Sequence, residues 1–295
     1  MNLQQKLASG RFVITAEVTP PVSFARADLL KKALPLKELA DAVNVTDGAG
    51  ARPHIGAVTA AAMLVDEGVE PILQFTCRDR NRIALQSDLM SAAASGVNNL
   101  LMLRGDDPSA GDQPDAKPVF DLDPRQLLDM ARKLRDTGEL PSGRKVAGKA
   151  EFFLGGADNP IDPPAGWVPT GLKAKIAVGA QFVQTQFCMD AGVVGRYVER
   201  LKQHDVNVSL LIGLAPLRSA KSARWMKEKL FGTIIPDTLV ARMEAAAEPE
   251  AEGVRICLEL IEQLAAAKTV AGVHLMAPNN DAALPDLIAQ ARKKL

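Results

Sequence analysis

The residues best placed to do chemistry lie in segment 101–108, where an apolar run ends in Arg104, Gly105, Asp106 and Asp107 before a proline. Buried parallel strands end in this way at the carboxyl edge of a sheet, where α/β enzymes carry their catalytic groups. Gly105 lets the backbone approach a ligand closely, and Arg104 offers a planar set of donors to an anion. A solvated strand-to-loop turn has the same composition, so the segment alone leaves both interpretations open.

Glu17 is the second candidate, because it interrupts the otherwise apolar run 12–18. Desolvation favours the protonated form of a carboxyl group, so a glutamate in this position can act as a general acid near neutral pH. The alternative is a structural glutamate that pairs with Arg78 or Arg104, since ion pairs also occur at the mouths of barrels.

Other apolar runs also end in polar residues, and in a parallel barrel all of them would converge on one mouth. These residues are Thr46, Asp47, Gly48, Gln74, Thr76, Gln184, Gln186, Asn279 and Asn280. Segment 78–82 alternates arginine with Asp79 and Asn81. It is typical either of phosphate binding at a helix start or of a self-paired, solvated helix entry.

Metal and thiol chemistry have little support in the sequence. Cys77, Cys188 and Cys257 are an odd number without paired spacing, which favours reduced thiols over disulfides or zinc sites. Cys77 and Cys188 have no neighbouring histidine, so neither is expected to be a nucleophile. The three histidines are too scattered along the chain to indicate a metal site.

The elements that must position these residues alternate between strands and helices, which predicts a single (β/α)8 TIM barrel over residues 1–295. A doubly wound open sheet is the alternative, but no G-x-G-x-x-G follows the first strand. The predicted strands are 12–18, 42–45, 71–75, 99–103, 150–154, 182–185, 209–214 and 272–276. The predicted helices are 57–67, 82–95, 125–135, 171–178, 193–203 and 252–267, with two helical pieces in an insertion at 220–247.

Two long loops at 108–124 and 155–169 follow predicted strands, so they are expected to extend over the catalytic face. The 35 basic and 35 acidic residues are interspersed, which gives no electrostatic reason to expect nucleic acid or an anionic membrane as a partner. The chain shows no apolar signal core and no apolar run of membrane-spanning length, so the sequence predicts a cytoplasmic protein.

Several short motifs occur in a fixed order along nearly the whole chain. They are Glu17-x-x-Pro20-Pro21, Val45-Thr46-x-Gly48-Ala49, Thr76-Cys77, Leu103-Arg104-Gly105-Asp106, Leu172-x-x-Lys175, Gly179-Ala180 and Gln184-Thr185-Gln186-Phe187. Each is weak alone, but in this order the chain resembles methylenetetrahydrofolate reductases, which are flavin-dependent barrel enzymes of one-carbon metabolism.

The resemblance implies an oxidoreductase that interconverts 5,10-methylenetetrahydrofolate and 5-methyltetrahydrofolate in one-carbon and methionine metabolism, with FAD as cofactor and NAD(P)H as electron donor. It implies that Glu17 is the acid that opens the methylenetetrahydrofolate ring, that Asp106 lies between flavin and pterin, and that Gln186 contacts the folate. The flavin contacts that it implies are Thr46, Gln74, Arg104, Gly105, Asp106, Phe120, Asp121, Asn159 and Lys175.

The chain departs from this family pattern mainly around the adenosine and nicotinamide ends. Gln74 and Asn159 stand where many members have histidine, and Ala220 replaces an aromatic residue that stacks on nicotinamide. Gly155, Val168 and Asn280 replace an aromatic, an acidic and an arginine residue. Two alternatives therefore stay open: a pterin-binding methyltransferase barrel, and a flavin-less subunit of a larger complex. Reaction direction, the choice of NADH or NADPH, FAD affinity and homo-oligomer formation are also open.

Overall fold

The computed structural model describes residues 1–278 and 280–295, and its centre is a closed barrel of eight parallel strands in the order β1 to β8. Asn279, which the sequence analysis placed after the eighth strand, lies outside the described residues. The strands are β1 (Val13–Val18), β2 (Ala42–Val45), β3 (Pro71–Thr76), β4 (Asn99–Leu103), β5 (Phe153–Asp158), β6 (Phe182–Phe187), β7 (Ser209–Leu214) and β8 (Gly272–Leu275). The prediction of a (β/α)8 barrel is confirmed, and the open sheet is excluded because β1 pairs with both β2 and β8.

Eleven α-helices are found in the described part of the chain, most of them outside the barrel. They are α1 (Leu3–Ala8), α2 (Arg26–Ala33), α3 (Ala57–Asp66), α4 (Arg82–Ala94), α5 (Pro124–Thr137), α6 (Thr170–Ala177), α7 (Ala191–Gln203), α8 (Ala220–Lys229), α9 (Asp237–Ala245), α10 (Pro249–Ala267) and α11 (Leu284–Arg292). The predicted helices agree to within three residues at each end, and the insertion forms α8 and α9 as predicted. No described helix is long and apolar enough to cross a bilayer.

The interior of the barrel is filled in two chemically different layers. At the amino-terminal end, Leu3 and Leu7 of α1 close the barrel and pack onto one inward residue from each of seven strands. These are Val13, Ala42, Ile72, Leu101, Phe153, Phe182 and Leu211. Above this apolar plug lie the buried polar residues Thr15, Asn44, Gln184 and His274. The helix α1 was absent from the sequence prediction.

The boundaries of β5 were predicted wrongly, because the strand runs from Phe153 to Asp158 and not over 150–154. Gly155 and Gly156 looked like the start of a loop, yet both are paired with β6. The ring of Phe182 occupies the space where a side chain on residue 155 would lie. A glycine in this strand therefore marks a close approach between neighbours and not a turn.

Candidate active site

Glu17 lies one residue before the end of β1, and its side chain is 22% exposed at the mouth of the barrel. Its Oε2 atom accepts a hydrogen bond of 2.7 Å from Nε2 of Gln74 and lies 3.6 Å from Nε2 of His274. The suggested pairing with Arg78 or Arg104 does not occur. Arg78 pairs with Asp79, and the guanidinium of Arg104 lies 4.2 Å from the ring centroid of Phe120.

Beneath Glu17, a chain of hydrogen bonds crosses the barrel interior from β8 to β2. Nδ1 of His274 lies 3.0 Å from Oγ1 of Thr15, which also accepts a hydrogen bond of 3.1 Å from Nε2 of Gln184. Gln184 and Asn44 exchange two amide hydrogen bonds of 2.6 and 2.9 Å. Thr15, Asn44 and His274 were missed as site residues, although the alternation of polar and apolar residues in their strands could have revealed inward polar positions.

Thr46 follows β2 directly, as predicted, and it is 2% exposed. Its Oγ1 atom is buried and has no hydrogen-bond partner among the described residues. Since a buried hydroxyl without a partner is costly, this atom is a candidate hydrogen-bonding group for a bound molecule. Thr46 is one of the residues that the family resemblance assigns to the flavin.

The segment after β4 has a glycine at a left-handed backbone position, but protein side chains fill the space beside it. Gly105 has a φ of 90°, and a side chain in its place would meet Arg78 and Thr76. Asp106 is exposed, and its Oδ2 atom accepts a hydrogen bond of 2.8 Å from the backbone N–H of Gly50. This hydrogen bond joins the loops after β2 and β4, and it restricts the position of the Asp106 carboxylate at the mouth.

The three arginines of segment 78–82 are paired with carboxylates of the described residues, most of which lie outside the segment. The guanidinium of Arg80 pairs with Asp47 and Asp88. Arg82 makes a bidentate pair with Asp121, and its hydrogen bonds lower the pKa of the Asp121 carboxyl to about 2. Asn81 caps α4. The pairing disfavours phosphate binding by this segment, but Arg78 is 4% exposed and Arg80 and Arg82 pair outside the segment, so the prediction of a self-paired, solvated helix entry is only partly correct.

At the end of β5 the cationic and polar groups are also engaged. Lys175 donates to the carbonyl oxygen of Ala157, and its Nζ atom lies 3.7 Å from Oδ1 of Asp158. Asp158 accepts from the hydroxyl of Tyr197, whose pKa is raised by burial and by this carboxylate. Asn159 packs where a side chain on Gly232 would lie, so the loop between α8 and α9 closely covers this edge.

Two remaining predicted contacts lie on β6 and α8. Gln186 is partly buried, and its Oε1 atom accepts a hydrogen bond of 3.0 Å from the backbone N–H of Phe187. Its side-chain N–H group has no hydrogen-bond acceptor among the described residues. Ala220 begins α8 and packs partly buried against the core.

The three cysteines are buried, and their thiols are not suited to act as nucleophiles. Burial raises the pKa of the Cys77, Cys188 and Cys257 thiols to about 12. Because the thiolate is the reactive form, these groups are inert at neutral pH. This agrees with the expectation from the sequence.

Together these features define a class of protein: a (β/α)8 barrel with a partly buried glutamate, an anchored aspartate and an unpartnered buried hydroxyl at its mouth. A sequence model of the methylenetetrahydrofolate reductase family matches residues 2–292. The chain belongs to this family, as the order of its motifs predicted.

Individual relatives are distant and longer. The probable methylenetetrahydrofolate reductase (NADPH) of Caenorhabditis elegans is 26% identical over 78% of this chain and 33% of its own length. The probable methylenetetrahydrofolate reductase (NADH) of Oryza sativa subsp. japonica is 24% identical over 90% of this chain and 46% of its own length. The chain thus spans between a third and a half of these curated relatives.

A solved structure shares the fold along nearly the whole chain. It is a protein from Clostridium thermocellum described as binding two copies of 5-methyl-5,6,7,8-tetrahydrofolic acid, with a TM-score of 0.64 and 17% identity. The match covers 99% of this chain and 98% of that chain. At this identity the match establishes the common architecture.

Proposed function

We propose that this protein is an FAD-dependent oxidoreductase that interconverts 5,10-methylenetetrahydrofolate and 5-methyltetrahydrofolate, with NAD(P)H as electron donor. The observation that carries the proposal is Glu17, a partly buried carboxyl group at the mouth of a barrel of this family. The names of relatives include both NADPH and NADH, which supports a nicotinamide donor without choosing between the two. The described ligand of the Clostridium thermocellum protein supports a reduced folate as substrate.

Glu17 is arranged to handle a proton. Its Oε2 atom is held by Gln74, so Oε1 is the oxygen that can face a substrate. In the direction of reduction, the protonated carboxyl would give its proton to the amine nitrogen that leaves when the five-membered ring opens. The resulting iminium carries positive charge, which the carboxylate of Asp106 would stabilise from its fixed position.

The residues present fit a flavin at this mouth. The buried hydroxyl of Thr46, which has no partner among the described residues, offers a hydrogen bond. FAD, when bound, would supply the hydride that completes the reduction. Its contacts would come from Thr46, Gln74, Arg104, Gly105, Asp106, Phe120, Asp121, Asn159 and Lys175, and Gln186 would contact the folate.

The proposed flavin site has few cationic side chains that are available to neutralise a pyrophosphate. Lys175 is close to Asp158, and Arg82 is paired with Asp121. Arg104 is exposed and free of a carboxylate partner among the described residues, so it would carry most of the neutralising charge. We therefore expect Arg104→Gln to weaken FAD binding more than Lys175→Gln does.

The proposal is tested by supplying purified protein with FAD, NADH or NADPH, and 5,10-methylenetetrahydrofolate under anaerobic conditions. We expect a flavin absorption band after removal of unbound FAD, and formation of 5-methyltetrahydrofolate measured by mass spectrometry. Folate binding without FAD binding would favour the methyltransferase alternative. Binding of neither molecule would favour the flavin-less subunit.

A further inference from the structure

In the hydrogen-bond chain beneath Glu17, each side chain donates to the next in one order, from Gln184 through Thr15 to His274. The two hydrogen bonds between Asn44 and Gln184 are reciprocal, so a reversal of one amide requires a reversal of the other. In this orientation Gln184 presents its N–H group to Oγ1 of Thr15 at 3.1 Å. Because all of these side chains are at most 4% exposed, water does not compete for their donors.

The hydroxyl of Thr15 links Gln184 to His274, so the orientation of the Gln184 amide influences which ring nitrogen of His274 carries the proton. Its hydroxyl oxygen accepts from Gln184, and its single proton can go to Nδ1 of His274 at 3.0 Å or to the carbonyl oxygen of Val273 at 3.4 Å. The shorter contact is the better hydrogen bond. When Nδ1 accepts a hydrogen bond from the Thr15 hydroxyl, a neutral imidazole must carry its own proton on Nε2. That N–H group faces Oε2 of Glu17 at 3.6 Å.

We propose that His274 is a positioning residue for Glu17, held by Thr15 and Gln184 as the neutral tautomer with its proton on Nε2. Gln74 and His274 then both direct N–H groups at the Oε2 atom of Glu17, which leaves Oε1 as the proton-carrying oxygen. The proposal deepens the proposed function and rests on it for the identity of the reaction.

The chemical consequence concerns the charge that remains on Glu17. When the Oε1–H bond breaks, its proton forms a new N–H bond on the departing amine, and both electrons of the old bond stay on the carboxylate. The two N–H donors at Oε2 stabilise this anion in a partly buried place. A contact of 3.6 Å can shorten once the substrate is bound, as hydrogen bonds at catalytic sites commonly do.

The first experiment reads the tautomer directly. Protein labelled with ¹⁵N-histidine contains only three labelled residues, so His274 can be assigned by comparison with the His274→Gln variant. We expect a neutral ring with the proton on Nε2 in the wild type. A proton on Nδ1, or a doubly protonated ring, at neutral pH would mean that the chain runs in the other direction and would overturn the proposal.

The second experiment removes the hydroxyl that sets the tautomer. Thr15→Val should change the tautomer equilibrium of His274 and lower the kcat of folate reduction by about threefold to tenfold, the effect of one hydrogen bond. KM and the rate of flavin reduction by NAD(P)H should stay at wild-type values, and Thr15→Ser should restore kcat. Wild-type kcat and tautomer in Thr15→Val would contradict the proposal.

The control is Thr185→Val. Thr185 is a barrel threonine that is 4% exposed, and within the described part of the chain its hydroxyl forms hydrogen bonds only with the backbone at Gln186 and Gly213. Thr185→Val removes a hydroxyl from a similarly buried position, and we expect this variant to leave the His274 tautomer unchanged. If Thr15→Val does not fold, the tautomer of His274 read from the ¹⁵N spectrum of the wild-type protein still tests the proposal. A protein without reductase activity that shows the Nε2 proton would refute the proposed reaction and leave the tautomer assignment intact.

Discussion

Among single residues, the role that we propose for Glu17 rests on its two carboxylate oxygens, which differ in their surroundings. Oε2 is held by Gln74 and faces His274, while no protein donor to Oε1 is found among the described residues. An ion-paired structural glutamate would have a guanidinium on one or both oxygens. The arrangement suits a group that must gain and lose a proton at one atom.

We predict that Glu17→Gln retains FAD and is reduced by NAD(P)H at a near wild-type rate, whereas folate reduction falls by about two to four orders of magnitude. The amide keeps the shape of the side chain but cannot donate the proton that opens the ring. Rapid-mixing measurements of the two half-reactions separate these effects. Wild-type folate reduction in this variant would show that Glu17 is structural.

At Asp106 we predict that Asp106→Asn raises the reduction potential of the bound flavin. A negative charge beside the isoalloxazine disfavours the anionic reduced form, and the asparagine can still accept the Gly50 N–H, so the loop geometry is retained. Folate turnover should fall at the same time, because the iminium loses its stabilising charge. A potentiometric titration with no shift, or a shift to lower potential, would place Asp106 away from the flavin ring.

At Ala220 we predict that a phenylalanine tightens NAD(P)H binding by up to about tenfold, because aromatic stacking contributes about 0.5–1.5 kcal/mol beyond burial. Phe187 cannot serve in its place, since it is 3% exposed, and Trp225 lies on a different face of α8 from Ala220. Flavin reduction as a function of NADH concentration gives the dissociation constant. An unchanged constant in Ala220→Phe refutes the stacking argument, and the folate half-reaction serves as the internal control.

The candidate residues at the strand ends could be predicted because a polar residue after an apolar run is visible in the sequence. Their partners could not, because they depend on the closure of the barrel. Asp121 and Arg82 stand 39 positions apart, and Thr15 and His274 stand 259 apart. No local pattern indicates which of several arginines will neutralise a given carboxylate.

On the scale of secondary structure, β5 shows how a sequence pattern can mislead. Paired glycines usually mark a turn, so the predicted strand began three residues and ended four residues too early. The side chain of Phe182 from β6 takes the space above Gly155, and its ring stacks at 4.9 Å on that of Phe153. The need for glycine arises from a neighbouring strand, which the local sequence does not reveal.

We predict that Gly155→Ala destabilises the barrel by about 1–3 kcal/mol, because a methyl group there would overlap the Phe182 ring. Gly156→Ala is the matched control, since its nearest neighbour would be the flexible side chain of Lys175 at 3.4 Å. Denaturant titrations of the two variants should differ clearly. Equal stabilities would mean that Phe182 moves aside without cost.

On the scale of the whole molecule, Asp41 joins the two ends of the chain at the amino-terminal side of the barrel. It is 3% exposed and accepts hydrogen bonds from Arg292 of α11 and from the backbone N–H of Ile14 in β1. Lys6 of α1 lies 3.4 Å away. Burial alone would raise the pKa of Asp41. The hydrogen bonds and positive charges lower it by more than burial raises it, so the pKa lies below its ordinary value.

This shift predicts a loss of stability in acid. A carboxyl group with a lowered pKa in the folded state stabilises the protein above its unfolded pKa of about 3.9 and loses that contribution as the pH falls through the folded value. Asp41→Asn should be less stable at pH 7 by about 1–3 kcal/mol and should show a smaller decline below pH 4. Parallel pH dependences for the two proteins would remove Asp41 as the cause.

The barrel as a whole was predictable because eight apolar runs alternate with amphipathic segments, and both signals are local. The plug formed by α1 was not, because a helix of six residues is too short to leave a clear periodic pattern. The description of residues 1–295 as one domain, and any self-association, remain predictions. Analytical ultracentrifugation would measure the latter.

The central claim is that this barrel transfers a hydride between flavin and folate, and a single turnover tests it most directly. Protein loaded with FAD is reduced anaerobically with one equivalent of dithionite and then mixed with 5,10-methylenetetrahydrofolate, without any nicotinamide. The account predicts that the oxidised-flavin absorption returns as one equivalent of 5-methyltetrahydrofolate forms, and that Glu17→Gln slows this step. A flavin that stays reduced in the wild-type protein, with the folate recovered unchanged, would contradict it.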